Sequence, residues 1–291
     1  MLEGSRDIFF YLGTYAYWIA FVILLMASAV YVIEVVRKRP FAVPTARILS
    51  LVAWLALTAS IGFTSVYHEG TRLSGSNMLV LLAWAMVLVY FFIGHIMKFN
   101  RYGSLFIPVS AILLFIAQIL APARGNFAPY PEFVTAQMDS TMITYHVLLI
   151  TFGNALLLIG SLAVGLYIYQ SSALRSKNPP DWLKALPPLA NIEKLWVRVL
   201  SIGLPIYFAG QILGVTRAIN VDAQAWFLDV RIILSGAILI VFSLALLLYY
   251  RAQTDTVMIA RIVLFGAVLI LVLMVLARTL PVGFHVFGVF N

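Results

Sequence analysis

The sequence predicts an all-α fold, a polytopic membrane helix bundle with about eight transmembrane helices. Composition is the first reason: 63% of the 291 residues are apolar and only 10% are charged. A soluble domain is nearer 45–50% apolar and about 25% charged. The mean hydropathy of +1.01 is the second reason. The third is a series of apolar runs that approach or exceed the roughly 20 residues a helix needs to cross the hydrocarbon core. Together these exclude a disordered chain, a cytosolic enzyme and a nucleic-acid-binding module. The absence of cysteine excludes disulfides, thiolate metal sites and a thiol nucleophile within this chain. The formal charge of +8 is read as lipid-facing cytoplasmic loops rather than as a nucleic-acid signal.

The candidate spans run 8–36, 46–67, 77–98, 104–121, 141–171, 195–216, 229–250 and 258–280. The first holds no Pro and only Gly13, so it reads as one long tilted helix. It exceeds the length of a signal-peptide core and follows acidic Glu3 and Asp7, so it is expected to be a mature helix. Gly103 to Pro108 reads as a tight inner turn. The segment 121–133, rich in Pro and aromatics, is expected on the interface. The segment 172–194 holds Pro179-Pro180 and Pro187-Pro188 and is expected to be a cytoplasmic loop. It divides one integral membrane domain, 1–291, into a five-helix half, 1–171, and a three-helix half, 195–291. No internal repeat is strong enough to claim. Mid-span Gln118, Asn154 and Gln211 are expected to bond between helices, and Gly153 and Gly160 to mark close packing.

Eight spans put both termini on one side, and the cations choose which. Thirteen of the nineteen Lys and Arg fall on the side of Arg37, Lys98, Lys177 and Arg251. Seven of the eleven acids fall on the other side. The positive-inside rule then places both termini outside, in a multi-pass protein of the cell's inner (cytoplasmic) membrane.

Four histidines are present. His68, His146 and His285 fall at the outer face in this topology, and His95 at the inner end. Any one alone reads as a solvated interfacial histidine. As a pair, His146 and His285 lie at similar depth on different helices, and two facing imidazoles are the usual way to hold a haem iron from both sides. Trp226, Phe227, Phe284 and Phe287 offer flat apolar surface, and Arg217, Arg231 and Arg278 offer cations for propionates. Aromatics also form interfacial belts without any ligand. There is no P-loop, no His-Glu-x-x-His and no Gly-x-Ser-x-Gly elbow. The mid-membrane parts of the spans lack carboxylates, which argues against an ion-coupled transporter.

The second half carries a recognisable pattern. Leu186-Pro-Pro-Leu-Ala-Asn-Ile-Glu-Lys-Leu-Trp196 precedes Ile202-Gly-Leu-Pro-Ile-Tyr-Phe-Ala-Gly-Gln-Ile-Leu-Gly-Val-Thr-Arg-Ala218. Then come Ala225-Trp-Phe-Leu-Asp-Val-Arg231 and Gly283-Phe-His-Val-Phe-Gly288, with Tyr145-His-Val147 upstream. These residues resemble the cytochrome c assembly protein family, with its CcsA, CcmC and HemX branches. The similarity covers roughly 68–290. It implies that His146 and His285 ligate haem b at the outer surface, with Trp226 and Asp229 arranging the loop against the plate. Only Trp226 and Asp229 of the family's tryptophan-rich segment are kept, and Tyr249 or Tyr250 stands where an inner histidine is common. Those departures resemble the HemX-like branch most.

The resemblance therefore implies a haem-handling protein of cytochrome c biogenesis that binds or presents haem at the outer face. Its partners would be the lipid bilayer, other membrane proteins of cytochrome c assembly or a larger membrane complex, and an apocytochrome. The chain offers no obvious catalytic group of its own. The alternative is a HemX-like non-enzymatic regulator, or an accessory subunit of an energy-converting membrane complex. The charge distribution gives a direct test. A reporter fused after Lys177 should behave as cytoplasmic and one after Asn291 as external, and the reverse result would also move the haem face.

Overall fold

The fold was analysed in a computed structural model, which describes residues 2–37, 42–67, 75–96, 102–120, 141–175, 187–220, 226–251 and 255–279. The described residues contain eight α-helices and no strand. They are α1 (Leu2–Arg37), α2 (Ala42–Tyr67), α3 (Gly75–Ile96), α4 (Gly103–Ile119), α5 (Thr141–Leu174), α6 (Leu189–Asn220), α7 (Val230–Tyr250) and α8 (Thr256–Thr279). Six are long and apolar enough to cross a membrane, and shorter apolar helices span Met78–Phe92 and Gly103–Ile119. Lipid supplies no hydrogen bonds, so the backbone must pair within each helix. The expected helices coincide with the observed ones to within a few residues, except that α1 and α6 each begin earlier, at Leu2 and Leu189.

The turn expected at Gly103 to Pro108 is instead helical, with Pro108 inside α4. A proline costs a helix one backbone bond, whereas a break at this depth would leave several polar groups facing lipid. Gln118, expected between helices, is exposed.

The chain forms two compact units, α1–α4 and α5–α8. Packing thus groups α5 with α6 and α8, whereas the five-plus-three reading followed the long connection at 172–194. In the first unit, α1 packs on α2 and α4, and α3 on α2 and α4. Small residues let α1 and α2 approach: Ala20 and Ala27 on one, Ala46, Ser50 and Ala53 on the other, all buried. Ser60 Oγ donates to the Gly13 carbonyl across this contact at 2.7 Å. The hydroxyls of Tyr31 and Tyr90 pair at 2.5 Å in the unit's interior.

The second unit repeats that circuit, with α5 against α6 and α8, and α7 against α6 and α8. Its α5–α6 contact is tighter. A Cβ on Gly153 would lie 2.7 Å from Tyr207 Cα, and one on Gly203 would lie 2.7 Å from Leu156 Cβ. Gly160 faces Leu200 in the same way, and Gly210 faces Ile150. The step from Gly153 to Gly160 along α5 is matched by the step from Tyr207 back to Leu200 on α6, which fixes an antiparallel register. Lipid tails remove the hydrophobic drive between helices, so close packing of small residues takes its place.

This seam predicts a contrast between two glycines. Gly153→Ala places a methyl against backbone and should cost about 1–3 kcal/mol, as overpacking does. Nothing lies within 4 Å of a Cβ on Gly236. Gly236→Ala should be neutral, or stabilise by up to about 1 kcal/mol through helix propensity. Thermal unfolding of the purified variants checks this, and equal effects would show that backbone contact does not set the seam.

Candidate haem-facing site

His146 lies in the second turn of α5, half-buried against α6. Its Nδ1 sits 2.7 Å from the carbonyl oxygen of Gly210. A carbonyl only accepts, so this contact puts a proton on Nδ1, which in the neutral ring leaves the lone pair on Nε2. The ring also covers Gly214, where a Cβ would lie 2.6 Å from Cε1 and 2.8 Å from Nδ1. Histidine ligands to metals regularly donate their other ring N–H to a carbonyl or carboxylate, which fixes the tautomer and the ring orientation. His146 has that arrangement.

A second cluster forms where α6 leads into α7. Trp226 opens a single 3₁₀ turn, Trp226–Leu228, and is half-buried. Its ring meets Phe227 edge-on at 6.0 Å. Phe227 and Leu228 are exposed. Asp229 is buried and caps α7, its carboxylate accepting from the Arg231 N–H at 2.9 Å. Its own N–H donates to the Trp226 carbonyl at 3.1 Å, which ties the turn to the helix start. Asp229 is thus the N-cap of α7. Arg231 is half-buried beside Asp229. Deeper along the same two helices, Gln211 and Ser235 flank the hydroxyl of fully buried Tyr207. Arg217 lies in the last turn of α6.

His285 and His68 lie outside the described residues, as do the side chains of His95 and Arg278, although His95 belongs to α3 and Arg278 to α8. Among the described residues, no three His, Asp or Glu side chains gather as a metal-ion site. Tyr249 is engaged in packing: it donates to Glu193 at 3.1 Å and meets Trp196 edge-on at 5.1 Å. Residue-by-residue reading missed the seat that Gly210 and Gly214 form under His146. Their four-residue spacing on α6 was the available signal, and it reads equally well as helix packing.

The architecture is that of a polytopic helical membrane protein whose polar side chains include a carbonyl-bound histidine near one helix end. A sequence profile of the cytochrome C assembly protein family matches residues 71–285, most of the chain, and the chain belongs to that family. Membership supports a role in cytochrome c biogenesis, and the family is associated with haem. The chain is also 25% identical over 122 residues to protein HemX of Brevibacillus brevis. That match covers 42% of this chain and 45% of the relative, so the chain spans less than half the length of the curated relative it matches.

The cap generates a test of its own. Asp229→Ala should cost about 0.5–2 kcal/mol, and Asp229→Asn much less, because Asn also accepts at an N-cap. Thermal stability measures both. An Asn variant as damaged as the Ala variant would assign the role to charge pairing with Arg231 rather than to capping.

Proposed function

We propose that the protein holds and presents haem b at the outer face of the cytoplasmic membrane during cytochrome c biogenesis. His146 and His285 are the axial ligands in this reading. One observation carries it: the Nδ1–H of His146 is committed to the Gly210 carbonyl, so Nε2 carries the lone pair that an iron needs. The donor set of two imidazoles and no thiolate suits iron in a porphyrin, which supplies a low-spin b-type centre when held from both faces. Trp226 would lie against the plate, on a turn that Asp229 keeps in place. Arg217, Arg231 and Arg278 would meet the propionates. Covalent attachment would fall to an apocytochrome and other membrane proteins of the pathway.

A second reading has specific support. Asp229 is committed to capping α7, Tyr249 to packing, and a relative by similarity is a HemX protein. A HemX-like regulator or accessory subunit would keep this fold without handing haem on.

The pigment separates the two. Protein purified from haem-replete cells should show a low-spin, bis-histidine b-type spectrum. His146→Ala or His285→Ala should lose or convert that spectrum, whereas His95→Ala should retain it. Trp226→Ala should weaken haem retention at normal abundance. A colourless wild-type protein, or equal loss from His95→Ala, would overturn the assignment.

A further inference from the structure

The glycines of the α5–α6 seam are not alike. A Cβ on Gly153 would meet the Cα and N of Tyr207, one on Gly203 the Cβ of Leu156, and one on Gly210 the side chain and N of Ile150. Those three let the helices approach. A Cβ on Gly160 would meet the flexible end of Leu200. Gly214 is the exception in kind: its three nearest neighbours are Cε1, Nδ1 and Nε2 of His146, at 2.6, 2.8 and 3.4 Å.

We infer that Gly214, together with the Gly210 carbonyl, is a positioning element for His146, a backbone seat that sets its tautomer and aims its Nε2 before any ligand arrives. The naming of the ligand as haem rests on the function proposed above; the seat itself does not. A methyl at residue 214 overlaps the ring edge, so the ring must swing about its side-chain torsions. The carbonyl of Gly210 is held in α6 and cannot follow, so the 2.7 Å bond is lost. An unconstrained neutral imidazole favours the proton on Nε2, the nitrogen that a metal needs bare. The seat reverses that preference, and the Nδ1–H bond to a carbonyl makes Nε2 a stronger donor. The two glycines thus do different work one helical turn apart: Gly210 offers its oxygen, and Gly214 leaves the space.

The test uses the full-length protein in lipid nanodiscs, free of haem, with its histidine rings labelled with nitrogen-15. Wild-type His146 should give the Nδ1–H tautomer signature. Gly214→Ala should lose it, and Gly236→Ala should keep it. Titration with haemin should then show affinity about 10–100-fold weaker in Gly214→Ala, the usual scale for losing a ligand's supporting bond. If Gly214→Ala accumulates poorly, adding His146→Ala should restore accumulation, because the ring is what the methyl strikes. An unchanged tautomer in Gly214→Ala, or no rescue by His146→Ala, overturns the seat. A tautomer that is set in the wild type and lost in Gly214→Ala, in a protein that binds no haemin, upholds the seat and defeats the haem reading. Haemin binding with an unchanged tautomer does the reverse.

Discussion

The close approach of α5 to α6 is the constraint on which the second unit depends. Its glycines leave no room for a side chain of their own against the facing helix, so the contact is governed by shape. In water such a pair would be held by apolar burial, but in lipid it is held by dispersion and by the few polar bonds that reach across. The bond from His146 to Gly210 is one of these, and it exists because a helix carbonyl lies within reach of a neighbouring helix. A seam opened by one methyl would move that carbonyl away from the imidazole. Packing and chemistry at this end of the protein are therefore one problem.

The first unit solves the packing problem without the chemistry. It closes the same circuit of four helices, with Ala and Ser joining Gly13 along α1 and α2. Its cross-helix bonds use hydroxyls, Ser60 to the Gly13 carbonyl and Tyr31 to Tyr90. No histidine takes part in these bonds. The described groups suited to a haem, His146, Trp226, Arg217 and Arg231, all belong to the second unit. The family match itself begins within the segment before α3, so it reaches across both units.

Much of this was legible in the sequence because bilayers impose a length and a composition on any span. Helix positions followed from apolar runs alone, and Gly153 and Gly160 were readable as packing residues. Pro108 misled because a proline breaks helices in water, whereas lipid penalises the break more than the proline. Gln118 misled because an amide in a span suggests a partner, yet it faces outward. The division into units was hidden because loop length does not report which helices touch. The seat of His146 was hidden for a different reason: it joins residues 146, 210 and 214, and only the antiparallel register of two helices brings them together.

In the proposed function, iron is held by the Nε2 of His146 on one side and of His285 on the other. Pulsed electron paramagnetic resonance of the ferric protein addresses it directly, with nitrogen-15 placed only at the Nε2 position of histidine. The account predicts strong coupling of the iron to two labelled nitrogens, falling to one when either His146 or His285 is replaced and the vacant position is filled by added unlabelled imidazole. Coupling that persists from two labelled nitrogens in the His146 variant, or a ferric centre with none, would contradict it.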